Sequence, residues 1–310
     1  MEQALRPGYR RVMSASTSGR PVTVVALRRC ALAVSVLDDI PIEPREHGVL
    51  LGVDWDDPAR TTVPWVRLEQ ALAGADPETT TGRLRLRDWM RARTALTAEP
   101  SVVRRRLVPL GLPAGHALHP GPAWVREPVP GGLIGLGLGL RVATRSSTTG
   151  AGADDAVVAL APSVLACAGL DARHWWPPVR ERLDELALLA IERLTRDDGG
   201  LLAPTGGCDV LTLLGSRWLR EHLAGGDGTG MRALAAPMRT RAWFDLARID
   251  PAFVAAAAAA TDEEHRGVSR PLLVTADEVA LAPAATPHQL ARLALLDAAA
   301  ADPMLPGVLR

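Results

Sequence analysis

The chain has 310 residues, 47% of them hydrophobic, and its 35 basic and 35 acidic side chains leave no net charge. Every basic residue is arginine; lysine and asparagine do not occur. Their absence excludes a Walker-type phosphate loop, a Schiff-base lysine, a kinase-type strand lysine, a Ser-x-x-Lys acylase and a Cys-His-Asn triad.

With Tyr and Phe also scarce, the composition matches the codon bias of a high-GC bacterial genome. The length suffices for one large or two ordinary domains whose core needs no disulfide or metal staple. Cys30, Cys167 and Cys208 are odd in number and form no C-x-x-C pair, so a reducing, cytoplasmic setting is expected. Residues 1–20 read as a disordered segment without the apolar run of a signal peptide, and Met13 offers a second start. No stretch approaches the roughly 20 apolar residues of a membrane span, so no membrane partner is expected.

Charge is unevenly distributed. Asp38 to Thr80 carries ten acidic residues against three arginines, whereas Thr81 to Arg106 carries eight arginines against Asp88 and Glu99. The arginine block suits an anionic ligand or a protein partner, because guanidinium forks match phosphate and carboxylate. Nucleic acid is the weaker expectation, since the chain has no basic excess.

In chain order, Pro21 to Leu37 is rich in β-branched residues and reads as one long strand or two short ones. Val49 to Val53 is a buried strand that ends in Asp54-Trp55-Asp56-Asp57-Pro58. A helix is expected from about Thr62, with Trp65, Leu68 and Leu72 on one face and a stop at Gly74. Residues 83–95 fit strand and helix equally. Leu107 to Pro130, dense in Pro and Gly, reads as a long loop. Gly131 to Val142 is a strand with a leucine face and a bare face of Gly135, Gly137 and Gly139. Thr144 to Asp155 is the linker candidate.

Beyond it the expected elements are mainly helical. Val179, Leu183, Leu186, Ala190 and Leu194 keep helical spacing, and Asp209 to Leu223 reads as a second helix with Leu211, Leu214 and Trp218 on one face. Asp250-Pro251 opens a helix of alanines, Pro271 to Thr275 is a short strand, and a capping box at Thr286 starts a last helix. The expected fold class is mixed α+β: a sheet-containing N-terminal part (21–143) packed against a mostly helical C-terminal part (156–310), joined through 144–155 or fused.

Several residues carry candidate chemistry. Asp54, Asp56 and Asp57 stand at the end of a strand, where carboxylates can hold Mg2+ or Mn2+ or simply form a turn and a helix cap. Arg85, Arg87, Arg104 and Arg105 are the candidate anion clamp. His116 and His119 would share one side of a helical turn and bind a metal there, although Pro113 and Pro120 argue for a loop. Cys208, at a predicted helix start, could have a lowered pKa, against the commoner case of a small buried cysteine. The bare glycine face leaves room for a flat ligand or for the Trp124 ring, and His174-Trp175-Trp176 forms an aromatic lip or closes one end of a helical core.

Two functions follow. The preferred one is a non-catalytic cytosolic protein that binds a ligand or partner through Leu107 to Pro130 and the arginine block. The alternative is a metal-assisted hydrolase of a phosphorylated or anionic substrate, with Asp54 and Asp56 as metal ligands, Asp57 as base and Arg85 or Arg87 as clamp.

Overall fold

The computed structural model describes residues 22–52, 54–57, 60–143, 155–196, 200–226, 228–245 and 248–283. The expected N-terminal segment 1–20, the linker core at 144–154 and the last helix from Thr286 lie outside them.

The first element corrects the sequence reading: Val24–Asp38 is a helix, α1, and not a strand. Thr23 caps it by accepting from the Ala26 amide at 3.2 Å. Leu27, Cys30, Ala31 and Val34 are its buried residues, and that i, i+3, i+4, i+7 spacing overrides the β preference of its valines. Strands β1 (Ile42–Pro44), β2 (Gly48–Leu51) and β3 (Thr61–Pro64) form a three-stranded antiparallel sheet. The strand expected at Val49 is therefore present as β2. The helix expected from Thr62 begins later, because Thr61–Pro64 pair with β2 first; α2 is Trp65–Leu72. Trp65, Leu68 and Leu72 are buried as anticipated.

The ambiguous stretch is helical: α3 spans Thr80–Ala95, capped by Thr79, and α4 spans Pro100–Arg106. Buried Leu86, Trp89 and Met90 of α3 face one core and Leu84 another.

The expected long loop is a second correction. Its first residues, Leu107–Pro113, are a strand, β4, followed by a 3-10 turn at Pro122–Trp124 and the short β5 (Glu127–Pro128). β4 runs antiparallel to β6 (Ile134–Ala143) over its whole length. Among the described residues it pairs with no other strand, so Pro109 is tolerated on an edge. The outer side is covered by the C-terminal half, where the Gly111 amide donates to Thr212 Oγ1 at 2.7 Å. The opposite edge of β6 is shared by β5 and β7 (Asp155–Ala159).

β6 organises the molecule. On its leucine face Leu138, Leu140 and Val142 belong to the core formed with α1, α2, α3 and α5 (Pro162–Cys167), while Ile134 and Leu136 belong to a second core. Its bare face receives Trp124, whose Nε1 donates to the Leu138 carbonyl at 3.0 Å. A Cβ on Gly137 would lie 2.3 Å from that ring.

The second core is built by α6 (Ala172–Arg196), β8 (Leu201–Leu202), α7 (Val210–Leu213), α8 (Arg217–Gly225) and β9 (Met231–Met238). β10 (Arg241–Trp243), α9 (Pro251–Ala260), β11 (Leu272–Thr275) and β12 (Val279–Leu281) complete the chain order. The expected helix from Asp209 to Leu223 is two helices, since Gly215 must pass against Leu136 where a Cβ would come within 2.6 Å. Leu211 and Leu214 are buried, whereas Trp218 is exposed.

Residues 201–281 also carry a five-stranded antiparallel sheet in the order β12-β11-β9-β10-β8. The fold is thus mixed α+β, with sheet in both halves of the described chain, so the expected division into a sheet-containing N-terminal and a mostly helical C-terminal part is not confirmed. No described helix is long and apolar enough to cross a membrane.

The close seat of Trp124 generates a test. Gly137→Ala should lower unfolding free energy by about 1–3 kcal/mol, the usual effect of overpacking, measured by urea denaturation. In a double-mutant cycle, Trp124→Leu should recover part of that loss, because the methyl group then has room.

Candidate anion site

The first half meets the turn at 262–267 through a buried ionic cluster on α3. Arg87, 6% exposed, donates from Nε to Asp88 at 2.9 Å and from Nη1 to Glu264 at 2.8 Å. Its Nη1 also lies 3.8 Å from Asp38 at the end of α1, and Asp38 pairs with Arg83 at 2.7 Å. Burial disfavours charge on Arg87, but Asp88 and Glu264 outweigh it and raise its pKa. For Asp88 burial prevails over the Arg87 charge and pushes its carboxyl up to about 6. Glu264, also opposed by burial, is held below the usual carboxylate range by its bond to Arg87.

Two further contacts seat the same turn. Thr81 donates to Glu263 Oε2 at 3.1 Å, and the Arg239 amide donates to the His265 carbonyl at 2.9 Å. Arg239 in turn is held by Asp209 through Nε at 2.6 Å.

Between α3, the segment after β4 and this turn lies a cavity of about 290 Å³, whose lining includes Arg85, His116, Glu263 and Arg266. Arg85 is set by three carbonyls: its Nε donates to Ala117 at 2.7 Å and its Nη1 to Leu72 and Ala73 at 2.8 and 3.1 Å. Burial lowers its pKa, yet a guanidinium stays charged at neutral pH. Arg266 is anchored from Nε and Nη2 on the Ala258 and Thr261 carbonyls closing α9.

His116 is only 6% exposed. Its Nδ1 accepts from the Leu118 amide at 3.1 Å, which assigns the ring proton to Nε2. That Nε2 is buried and makes no hydrogen bond of normal geometry among the described residues; the Arg266 carbonyl is the acceptor that acts on the ring. Burial first, and then the Arg239 charge, lower the pKa of His116 to about 4; the nearby Asp209 carboxylate and Arg266 carbonyl only partly oppose this. The ring is therefore a neutral donor at pH 7. Buried donors in folded proteins are nearly always matched; here the Arg266 carbonyl supplies only a weak match, and the donor lies on a residue that lines the cavity.

Arg85, Arg266 and His116 thus line the cavity together with one acidic residue, Glu263, whose Oε2 already accepts from Thr81. Such a wall favours an oxyanion.

The arrangement unites Arg85 and His116 from the sequence-based candidates, with Arg87 seating the opposite wall. His119 is separate: its Nδ1 accepts from the Gly121 amide at 3.1 Å, and its ring packs edge-on to Trp124 at 5.4 Å. Both histidines occupy turns rather than a helix. Arg104 and Arg105 are exposed in the last turn of α4.

The three aspartates form a turn between β2 and β3. Asp54 Oδ1 accepts from the Trp55 amide at 2.8 Å, the Asp57 amide donates to the Asp54 carbonyl at 3.2 Å, and Asp54 and Asp56 are exposed. Among the described residues no three His, Cys, Asp or Glu side chains are grouped to hold a metal.

Cys208 is a buried cysteine. Burial, reinforced by Asp209, pushes its thiol up to about 12, the opposite of an activated nucleophile. The glycine face is filled by Trp124 over Gly137, Val125 over Gly135 and Val157 with Leu110 over Gly139, and Trp175 and Trp176 pack against the first core. Arg266 and Glu263 carried no local signal in the sequence; only the antiparallel return of the C-terminal half places them opposite His116.

Comparison with protein-family models, with curated proteins and with solved structures finds no match to this chain.

Two outcomes follow. Arg87→Leu leaves Asp88 and Glu264 without their cation and should lower stability by about 3–5 kcal/mol in chemical denaturation. The second concerns acid. The unfolded chain protonates His116 near 6.5 and the native state only near 4, so the unfolded state binds more protons in that window. Through this residue stability should fall by about 3 kcal/mol as pH drops from 6.5 to 4; Asp88, raised to about 6, contributes in the opposite direction over that range, so the loss is read as the difference between wild type and His116→Gln in pH-dependent urea titrations.

Proposed function

We propose that this protein is a non-catalytic binder of a small oxyanionic ligand, such as a phosphate- or carboxylate-bearing metabolite, held in the cavity between α3, the turn after β4 and residues 262–267. The observation that carries this reading is the convergence around one cavity of Arg85, Arg266 and His116, a buried neutral ring whose Nε2–H is answered by nothing more than the Arg266 carbonyl. The flanking cations are themselves held on backbone carbonyls, so their charge is in place before any ligand arrives. Preorganised donors of this kind reduce the ordering that binding would otherwise require.

The three free cysteines suit a reducing cytosol. A metal-assisted hydrolase would need Asp54, Asp56 and Asp57 beside these cations, and they stand on the β2–β3 turn instead.

Inorganic phosphate and sulfate are the first probes, by calorimetry and thermal shift. Wild type should bind one equivalent with a saturable rise in Tm. His116→Phe, which removes the N–H, should weaken phosphate about 10-fold or more, the effect of losing a hydrogen bond to a charged group. Ala117→Glu, which adds a carboxylate to the wall, should abolish binding. Equal binding by all three proteins, or none by wild type, would refute the proposal.

A further inference from the structure

A second cavity, of about 480 Å³, opens on the other side of the ionic cluster, between the end of α1, the C-terminal half of α3 and the end of β6. Ligand pockets commonly span about 300–1,000 Å³. Much of its wall is apolar, from Ile40, Pro41, Ala95, Ala98 and Val142. Into this wall α3 brings two polar side chains, Arg91 and Thr94, three residues apart and so on one face of the helix.

Neither has a side-chain hydrogen-bond partner among the described residues. Arg91 is only partly exposed and has no hydrogen-bond or ion-pair partner among the described residues. The acids that act on it electrostatically, Asp38, Asp88 and Glu264, are engaged by Arg83 and Arg87. Thr94 Oγ1 is buried without a partner as well, although a helical threonine ordinarily bonds back to a carbonyl of the preceding turn. A half-buried cation with no counter-ion is unfavourable, and burial followed by the Arg87 charge lowers the pKa of Arg91. Exposed Arg106 and Asp39 also line the cavity, as does Asp38, whose carboxylate is committed to Arg83 at 2.7 Å; Arg91 is the partly buried cation of the lining that has no ion pair among the described residues.

We propose that this cavity binds an organic monocarboxylate with an apolar body, its carboxylate forked by Arg91 and reached by the Thr94 hydroxyl, its hydrocarbon against Ile40, Pro41, Ala95, Ala98 and Val142. The guanidinium fork matches a carboxylate in two parallel bonds, and the apolar wall excludes a fully hydrated ion such as free phosphate. The site shares no residue with the His116 cavity, so it stands or falls separately.

Calorimetry of the full chain with decanoate, decan-1-ol and inorganic phosphate tests it. Wild type should bind decanoate at one equivalent and more tightly than decanol. Arg91→Gln should weaken decanoate about 10-fold or more while leaving decanol unchanged. Ala98→Phe, which fills the apolar wall, should remove both ligands, with its circular dichroism and Tm confirming the fold. Phosphate should neither displace decanoate nor lose its own affinity in either variant. The proposal is overturned if wild type does not bind decanoate, if Arg91→Gln binds it equally well, if Ala98→Phe retains it, or if phosphate competes with it.

Discussion

A single buried guanidinium, that of Arg87, sets the relation between the parts of this molecule. It reaches the end of α1 at Asp38, its own helix at Asp88 and the C-terminal half at Glu264. Removing a charge from water is expensive, and the expense is offset only when the partners are close and held. The cluster therefore fixes the turn at 262–267 against α3, and with it Glu263 and Arg266 opposite His116. The same saturation has a second effect: with Asp38, Asp88 and Glu264 engaged, Arg91 one turn further along α3 is left without a counter-ion. One cluster thus shapes both cavities.

Rigidity on the other wall comes from packing. The segment after β4 is dense in proline and glycine, yet Trp124 anchors it by seating on the bare face of β6 and donating to Leu138. His119 packs edge-on to that ring, and two backbone amides, of Leu118 and Gly121, donate to the histidine Nδ1 atoms. The imidazole of His116 is consequently held as a neutral donor rather than a titrating side chain. A loop fixed in this way presents a donor with little conformational freedom left to lose.

The two cavities differ in what surrounds their charge. Around His116 the wall is made of donors and carbonyl-anchored guanidinium groups, which suits a compact oxyanion. Around Arg91 the wall is largely hydrocarbon, where a lone fork can orient a ligand whose remaining surface is apolar. Charge sets the sign of the ligand in both, and the neighbouring side chains set its size and polarity.

Wherever local chemistry was decisive, the elements were legible from residue order: the buried strand at Val49 to Leu51, the leucine and glycine faces of β6, the Asp250-Pro251 cap of α9 and the helical spacing of Val179 to Ala190. Arg85 and His116 were also visible as candidates, because arginine and histidine carry recognisable chemistry. Other assignments needed the tertiary structure. Valine-rich α1 is helical because its apolar residues meet a core at 3.6-residue spacing; Leu107–Pro113 is a strand because β6 offers an edge that accepts a proline. Glu263, Arg266 and the isolation of Arg91 depend on which side chains meet across the fold. Secondary structure and residue type are properties of neighbours in the chain, whereas pairing, burial and the absence of a counter-ion are properties of neighbours in space.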